Sequence, residues 1–503
     1  MGRTRSGRLT RRSFLRQSAS GIIAAGTGLG SRPYHTDHPG RNVKYDERPA
    51  NVVLLMSDQH NPFYTSIMGH PLVQTPNLER LAARGTVFEN TYCPSPLCMP
   101  CRSAFMSGRR VHDIQCYNNC NVFPFDYPTY GQALRDAGVH SVHIGKTDVF
   151  RPGEELGFSE LIKPGDRKPP GDTFSRRNPL AIRTGAARRA NGWGPAEDNP
   201  FARDEEKVDA AIEWLGTTAK TIESPWVLVV QVVKPHFPLR TTPDLWELYK
   251  GGDDLPKHGG DAASANHPYA LDLRAHFETD KFTDEQIRGL RRGYLGCVTH
   301  VDRQLGRLLD ALDQHGLTDD TVIMYTSDHG EMLGKFDMWW KSSLYEDSAR
   351  VPLVAAGRGF KKGARVRTPV DLHDVRAGVF HAVRKRQPSG WLGEAPQTLT
   401  RDNDRRVVFS EYHGHGVRSS GYLIRKGDWK LIYCTAAPHL LFNLAEDPHE
   451  LNNLAKKHPK KLRELERELR EICSPELEND RAEQFIEKQL AAVPQESMAV
   501  SEG

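Results

Sequence analysis

Short apolar segments recur along this chain, and segments with helical periodicity separate them. The strand candidates are residues 51–56, 140–144, 226–233, 321–325 and 351–355. The helix candidates are residues 75–85, 130–137, 208–215 and 288–315. Strands that are apolar throughout are buried on both faces, so the alternation predicts an α/β fold with a large, mostly parallel sheet between helical layers.

The pattern changes near residue 390. Three short strand candidates follow, at 407–411, 421–425 and 429–433, and Arg425-Lys-Gly-Asp428 has the composition of a hairpin turn. A charged amphipathic helix comes next, and its apolar face is marked by Leu462, Leu465, Leu469 and Ile472. We therefore predict a large domain at 42–390 and a smaller C-terminal α+β subdomain with an antiparallel sheet at 391–503.

Composition excludes several classes of protein. The chain has 503 residues, of which 38% are hydrophobic, so it can form a sizeable core and is not a disordered or collagen-like chain. Its 68 Lys and Arg against 64 Asp and Glu leave a formal charge of only +4, which gives no case for binding nucleic acid. Because no apolar run reaches about 18 residues, we expect no stable membrane insertion.

The first 16 residues are rich in arginine and contain no acidic residue, and a weakly apolar stretch follows at 21–30. Thr10-Arg11-Arg12-Ser13-Phe14-Leu15 resembles the bacterial twin-arginine export signal, which serves folded cargo. We therefore predict a signal and linker at 1–41 and a periplasmic or secreted protein. A disordered basic tail is the alternative, and no clear cleavage site is visible.

Polar side chains follow four of the predicted strands. They are Asp58 and Gln59, Lys146 and Asp148, Lys234 and His236, and Asp328 and His329. The carboxyl ends of parallel strands meet at one edge of a sheet, where α/β proteins bind their ligands. The sequence therefore predicts that these side chains form one constellation. We predict that the long Gly-, Pro- and Arg-rich segments at 156–199 and 251–275 are loops without regular secondary structure.

Five of the eight cysteines cluster between residues 93 and 120. Cys98-Met-Pro-Cys101 has the spacing of a redox dithiol or of half a zinc site, and Cys116 and Cys120 could supply a second pair. Disulfide connectivity does not follow from spacing.

The same segment also fits a different pattern. Cys98-x-Pro100-x-Arg102, followed by Ser103-Ala-Phe-Met-Ser-Gly-Arg109, resembles the maturation signature of type I sulfatases, in which the cysteine is oxidised to formylglycine (3-oxoalanine). The resemblance extends over about 51–454. Its other motifs are Thr75-Pro76-Asn77-Leu78, Gly145-Lys146, Lys234-Pro235-His236-Phe-Pro238, Ser327-Asp-His-Gly330, Lys341-x3-Tyr345-Glu346, Tyr422-x-Ile-Arg425-x3-Trp429-Lys430, Leu441-Phe-Asn-Leu444 and Asp447-Pro448-x-Glu450-x2-Asn453-Leu454.

This resemblance implies an alkaline-phosphatase-like α/β/α sandwich, maturation by a formylglycine-generating enzyme, and one divalent cation, usually calcium, with magnesium as the alternative. The implied metal ligands are Asp58, Gln59, Cys98, Asp328 and His329. The implied catalytic residues are Cys98 as nucleophile, Arg102 ordering its diol, Lys146 and Lys341 on the sulfate, His236 as general acid, and His329 beside nucleophile and metal.

The chemistry of sulfate esters explains these residue types. A nucleophile must approach a sulfur atom surrounded by anionic oxygens, and a hard cation with oxygen ligands neutralises that charge. Lysines add positive charge where negative charge develops. In hydrated formylglycine, one hydroxyl attacks sulfur and the other expels sulfate as the aldehyde reforms, which unmodified cysteine cannot do.

The substrate is less well specified. Asp148 stands where many sulfatases have histidine, and we predict substrate contacts for Lys146, Asp148, His413 and His415. The chain resembles the arylsulfatase K (glucuronate-2-sulfatase) branch and, to a lesser degree, choline sulfatases, so a sulfated sugar or uronic acid is favoured. A phosphonate monoester or phosphodiester hydrolase of the same superfamily is the first alternative, and a non-catalytic cysteine-cluster metal or redox protein is the second. Nothing in the sequence predicts an oligomeric state.

Overall fold

The computed structural model describes residues 48–149, 151–165 and 167–494. The arginine-rich segment and the twin-arginine motif lie outside these residues. The described strands are β1 (Asn51–Asp58), β2 (Gly85–Phe88), β3 (Thr91–Tyr92), β4 (His140–Lys146), β5 (Glu160–Gly165), β6 (Trp193–Pro195), β7 (Trp226–Pro235), β8 (Leu239–Thr241), β9 (Thr321–Ser327), β10 (Arg350–Val351), β11 (Leu353–Ala356), β12 (Ala364–Val366), β13 (Val370–Asp371), β14 (Val407–Tyr412), β15 (Gly421–Lys426), β16 (Trp429–Cys434) and β17 (Leu440–Asn443).

The described α-helices are α1 (Pro76–Arg84), α2 (Cys98–Ser107), α3 (Val111–Ile114), α4 (Tyr130–Asp136), α5 (Ala202–Gly216), α6 (Pro243–Leu248), α7 (Pro268–Phe277), α8 (Asp284–Gln314), α9 (Glu346–Ala349), α10 (Leu372–Ala382), α11 (Pro459–Ile472) and α12 (Pro475–Ala492). None of the helices in the described ranges combines the length and the hydrophobicity that crossing a bilayer requires.

A large mixed sheet has the strand order β12-β2-β11-β9-β1-β7-β4-β5. The five strands from β9 to β5 are parallel, and β11 runs antiparallel to both β9 and β2. Strand β1 lies inside the sheet, where Val52 pairs with both Val227 and Val322. Its alternate side chains enter two different apolar clusters, Leu54 on one face and Leu55 on the other. The prediction of a mostly parallel sheet buried on both faces is confirmed.

Some of the local structure predicted from the sequence is wrong. Residues 156–199 are not irregular throughout, because they contribute the edge strand β5 as well as β6. Residues 251–275 include the start of α7, which begins at Pro268. The strand predicted at 351–355 is interrupted at Pro352, since β10 and β11 belong to different sheets.

The C-terminal strands form a separate antiparallel sheet in the order β14-β15-β16-β17. Helix α11 packs on it through Leu465 and Leu469, as the amphipathic pattern predicts. Helix α12, which the sequence analysis did not identify, contacts the loop after α3, where Asn118 donates a hydrogen bond to Gln489 Oε1 at 2.9 Å. The division of the chain into domains at residue 390 stays a prediction.

Candidate active site at the carboxyl edge of the large sheet

Four side chains converge where the parallel strands end. The potential ligand atoms of Asp58, Cys98, Asp328 and His329 all lie within 4.8 Å of one another, and all four residues are fully buried. Within the described ranges, these are the only His, Cys, Asp or Glu side chains that form such a group of three or more. Asp58, Asp328 and His329 thus meet at one edge of the sheet, whereas Lys234, which the prediction placed with them, directs its Nζ atom to the Pro238 carbonyl oxygen.

The strand register brings the two carboxylates together. Ser57 of β1 pairs with Ser327 of β9, so Asp58 and Asp328 follow at adjacent strand ends. The backbone then turns sharply, because Gln59 has a left-handed conformation with φ of 68°. In this conformation the Gln59 N–H donates to Asp328 Oδ1 at 3.1 Å, which links the two strand ends directly.

Cys98 opens helix α2 and lies against His329. Its Sγ atom is 3.2 Å from His329 Nε2, while His329 Nδ1 is 3.0 Å from the Gly330 carbonyl oxygen. The carbonyl can only accept, so Nδ1 carries a proton, and Nε2 faces the thiol. Burial opposes ionisation of the thiol, but Lys146 and Lys341 outweigh it and lower the pKa of Cys98.

Arg102, one helical turn after Cys98, holds both carboxylates. Its Nε atom donates to Asp328 Oδ2 at 2.8 Å, and its Nη2 atom donates to Asp58 Oδ2 at 3.2 Å. A third donor contacts Gln231 on β7, a residue that the sequence analysis missed. The arginine thus fixes one oxygen of each acid, and its predicted role in ordering a diol stays a prediction.

The donor set fits a hard divalent cation. Asp58 Oδ1 is buried and has no hydrogen-bond partner, a costly state for a carboxylate oxygen unless a cation lies beside it. Burial raises the pKa of Asp58, but Lys146 and Arg102 hold it well below the usual range, so the group is ionised. Carboxylate oxygens suit calcium or magnesium, and one imidazole is compatible with either.

Gln59 is oriented from both ends of its amide. Its Oε1 atom accepts from Lys341 Nζ at 2.7 Å, and its Nε2 atom donates to Glu331. Glu331 is not among the site residues predicted from the sequence. Its carboxylate also accepts from the backbone N–H groups of Leu333 and Trp340, at 2.8 and 2.7 Å. Glu331 therefore braces the loop that carries Lys341.

Lys146 is the last residue of β4. Its Nζ atom donates a hydrogen bond to Asp58 Oδ2 and lies 3.2 Å from Asp148 Oδ2. Gly145 precedes it with φ of 95°, and a Cβ atom there would meet the Gln231 carbonyl oxygen at 2.2 Å, so only glycine fits. Asp148 accepts two hydrogen bonds from Arg167, at 2.6 and 2.8 Å. Despite burial, Arg167 and Lys146 lower the pKa of Asp148 strongly.

Lys341 and His236 form a direct pair. Lys341 Nζ lies 2.7 Å from His236 Nε2, and His236 Nδ1 lies 2.7 Å from the Phe237 carbonyl oxygen. Burial, and then Lys341, hold the pKa of His236 well below its usual value, so the ring is neutral. The residues on either side of Lys341 have left-handed backbones, with φ of 71° at Trp340 and 78° at Ser342.

A cavity of about 740 Å³ opens onto these groups. Of the predicted site residues, it is lined by Lys146, Asp148, His236, Lys341 and His415. His415 Nε2 is 3.1 Å from Ser342 Oγ. His413 does not line the cavity.

The His413 ring nitrogens lie 2.7 Å from Glu411 Oε2 and 2.8 Å from Ser420 Oγ, and its ring packs on Tyr117 and Tyr422. The structure thus separates two histidines that the sequence analysis grouped as substrate contacts.

The cysteine cluster does not assemble into a zinc site. All eight cysteines are free. Cys101 Sγ lies 2.8 Å from the Asp328 carbonyl oxygen, and Cys116 Sγ lies 3.4 Å from Ser103 Oγ. Since Cys98 is grouped with acids and a histidine, and not with Cys101, Cys116 and Cys120, the cysteine-cluster hypothesis has no support in the described residues.

Comparisons with known proteins agree with this arrangement. The model of the Sulfatase family matches residues 50–384, and that of the C-terminal part of N-sulphoglucosamine sulphohydrolase matches 334–476. Choline-sulfatase of Rhizobium meliloti is 31% identical over 428 residues, covering 80% of this chain and 82% of that protein. Arylsulfatase K of Homo sapiens is 29% identical over 467 residues, covering 86% and 84%.

Solved structures share the fold. The protein BT4656, in complex with its substrate D-glucosamine-2-N,6-O-disulfate, has a TM-score of 0.66 and 21% identity, covering 84% of this chain and 97% of that chain. A phosphonate monoester hydrolase of Agrobacterium radiobacter has a TM-score of 0.65 and 22% identity, covering 84% and 95%. At these identities the likeness concerns the fold alone.

Proposed function

Since the chain belongs to the sulfatase family and is a sulfuric ester hydrolase with the alkaline-phosphatase-like fold, we propose that it hydrolyses the sulfate ester of a sulfated sugar or uronic acid through a formylglycine made from Cys98. One observation carries the proposal. The Cys98 thiol lies within 4.8 Å of the Asp58, Asp328 and His329 ligand atoms, and Lys146, which bonds to Asp58, lines the adjoining cavity together with Lys341.

The proposed cation is calcium, with magnesium as the alternative. Asp58, Asp328, Gln59 and His329 would hold it, together with residue 98. When bound, it would neutralise sulfate charge beside the nucleophile. The unpartnered Asp58 Oδ1 supports this assignment, as does Arg102, which occupies the opposite oxygen of each carboxylate.

Formylglycine at position 98 would supply a geminal-diol nucleophile in place of the thiol. The chain's own residues bind and orient the ester. Lys146 and Lys341 present ammonium groups to the sulfate oxygens, and burial of the whole group strengthens their attraction because water screens it little.

The pair of His236 and Lys341 would protonate the leaving alcohol. His236 Nδ1–H is engaged by Phe237, and its Nε2 accepts from Lys341, so the mobile proton of the pair resides on Lys341 Nζ. In this geometry His236 positions the Lys341 ammonium. After Lys341 has given its proton to the leaving oxygen, His236 Nε2 can bind a new proton. The general-acid role predicted for His236 is therefore shared between two side chains.

Relatives support sulfate ester hydrolysis, and the substrate of the structural neighbour BT4656, D-glucosamine-2-N,6-O-disulfate, supports a sulfated sugar. Arylsulfatase K proteins from several vertebrates and a choline-sulfatase match most of the chain. Phosphonate monoester hydrolases share the fold at 22% identity, which makes such esters the first alternative substrate. We further propose twin-arginine export of the folded, matured protein, on the evidence of Arg11-Arg12 and its neighbours.

The test combines chemistry at residue 98 with turnover. The protein is produced with a formylglycine-generating enzyme, and mass spectrometry of the peptide spanning residue 98 is expected to find an aldehyde. An aryl sulfate should be hydrolysed faster than an aryl phosphodiester or phosphonate monoester, in the wild type and not in Cys98→Ala. A preference for the phosphorus esters, or equal activity of Cys98→Ala, contradicts the proposal.

A further inference from the structure

The cavity beyond the sulfate site carries a large excess of positive charge. Eight lysine and arginine side chains line it, against three acidic ones. Each acid is already paired within the cavity wall: Asp148 with Arg167 at 2.6 Å, Asp172 with Arg183 at 2.5 Å, and Glu206 with Lys163 at 3.2 Å. The excess therefore resides in the cations that these acids do not neutralise.

Arg189 is such a cation. It lies in the short 3-10 segment Ala186–Asn191, and no carboxylate of the described residues approaches its guanidinium within ion-pair distance. Its Cζ atom is 5.1 Å from the centroid of the Phe237 ring. Burial, and then repulsion by Arg183, lower the pKa of Arg189 to about 10 despite attraction by Asp172, so the guanidinium remains charged at neutral pH.

Phe237 connects this arginine to the sulfate site. Lys341 Nζ lies 5.2 Å from the centroid of the same ring, and the His236 ring stacks on it at 4.1 Å. The distance between Arg189 Cζ and Lys341 Nζ therefore cannot exceed the sum of the distances from these two atoms to that centroid. One sugar ring with two anionic substituents, or two adjoining sugars, can cover such a span.

We propose that Arg189 forms a subsite for a second anionic group of the substrate, the carboxylate of a uronic acid or a second sulfate, with Phe237 as the wall between that subsite and the sulfate site. The proposal rests on the proposed function and narrows its substrate to a sugar with at least two negative charges. A guanidinium binds carboxylate or sulfate through two parallel hydrogen bonds. A trimethylammonium group, as in choline sulfate, would instead be repelled.

The kinetic test compares three sulfate esters in the matured enzyme: a sulfated neutral hexose, the corresponding sulfated uronic acid, and a disulfated hexose. For the dianion that the subsite accepts, we expect the ratio of its kcat/KM to that of the neutral sugar to fall about 10- to 100-fold in Arg189→Gln, the loss of one charge-assisted interaction. The matched control is Arg135→Gln, since Arg135 is 57% exposed and pairs only with Asp136, and its ratio should equal that of the wild type.

The uronic acid and the disulfated hexose separate the two sources of the second charge, because the one whose ratio collapses in Arg189→Gln is the natural partner of the subsite. A ratio unchanged by Arg189→Gln for both esters overturns the inference. Absence of sulfatase activity toward all three esters in the wild type overturns the proposed function instead, so the two failures are distinguishable.

A binding measurement is independent of turnover and of formylglycine. Calorimetric titration of Cys98→Ala with the sulfated uronic acid and with the disulfated hexose should give, for at least one of them, an affinity about 10- to 100-fold above that of Cys98→Ala/Arg189→Gln. Equal affinities of the two variants for both esters contradict the subsite, whatever the activity of the matured enzyme.

Discussion

Lys341 Nζ lies 2.7 Å from His236 Nε2, and the opposite nitrogen of the same imidazole is bonded to the Phe237 carbonyl oxygen. The ring is thereby fixed as the neutral tautomer that accepts from lysine. The low pKa of His236 follows from burial and from this ammonium, so the two groups share one excess proton. A proton shared between two bases beside an anion site can be delivered to a leaving oxygen.

The first prediction concerns the leaving group. His236→Gln should lower kcat for an alkyl or sugar sulfate by about 10²- to 10⁴-fold, the usual contribution of general acid catalysis. The loss should be smaller for 4-nitrophenyl sulfate, whose leaving phenolate needs little protonation. Steady-state kinetics on both esters measure the difference. Equal losses on the two esters would contradict proton delivery and indicate a role in binding only.

Much of this site could be predicted because it is built on strand ends. Continuous apolar segments identify buried strands, and parallel strands must present their following residues at one edge. Asp58, Lys146 and Asp328 obey that rule without any further information. The cysteine on α2 could be added only through its motif, since nothing in its local sequence reveals that α2 points at β1 and β9.

The remaining contacts depend on packing between distant segments. Arg167 and Arg189 belong to the long excursion after β4, and their positions over the cavity follow from how that excursion folds back, not from any periodicity. His413 and His415 are two residues apart, yet Glu411 and Ser420 hold the first in the core while the second reaches the cavity. No periodicity in the sequence distinguishes these two histidines.

The second prediction concerns the cation. Asp58→Asn and Asp328→Asn should each abolish stoichiometric metal binding, because each removes one of the two carboxylates from the proposed ligand set. Elemental analysis of the purified variants measures the metal, and activity after chelation and addition of calcium or magnesium identifies it. Restoration by zinc alone would contradict the assignment.

Asp209→Asn is a matched control for these two variants. Asp209 is an exposed acid that pairs with Arg307 and lies outside the proposed metal group. We expect its metal content and activity to equal those of the wild type.

The third prediction concerns stability and pH. His112 Nδ1 lies 2.9 Å from Glu411 Oε2 in a buried site. Burial opposes both charges, but Glu411 raises the pKa of His112 and His112 lowers that of Glu411. The contribution of His112 is present below its unfolded pKa of about 6.5 and lost as pH rises through the folded value. The contribution of Glu411 is present above about 4.5 and lost on acidification.

The difference in unfolding free energy between wild type and His112→Gln should therefore be greatest between about pH 5 and 6.5, at about 1.5–3 kcal/mol, and shrink by pH 9. Urea unfolding followed by fluorescence measures it. His140→Gln is the control, because His140 and Glu160 are a partly exposed pair at 2.7 Å, and its effect should stay below about 1 kcal/mol. A difference that grows toward pH 9 would refute the charge assignment.

The fourth prediction concerns a buried ion cluster that ties the C-terminal sheet to the segment after Lys341. Lys430 on β16 donates to Glu346 Oε1 at 2.8 Å and to Glu450 Oε1 at 2.7 Å, and all three side chains are at most 1% exposed. The Glu346 N–H, at the start of α9, donates to Glu450 Oε2 at 2.8 Å. These residues belong to motifs that the sequence analysis noted without assigning them a role.

Replacing Lys430 with Met leaves two buried carboxylates without their shared ammonium, so Lys430→Met should cost about 3–5 kcal/mol of unfolding free energy. The triple variant Glu346→Gln/Lys430→Met/Glu450→Gln should recover much of that loss, because it removes the uncompensated charges together. Lys426→Met is the matched control, since Lys426 pairs with Glu468 at a partly exposed position and should cost at most about 1 kcal/mol. Denaturant unfolding measures the unfolding free energy of the three variants. If the triple variant is no more stable than Lys430→Met, then packing of the lysine stem, and not its charge, holds the C-terminal sheet against α9.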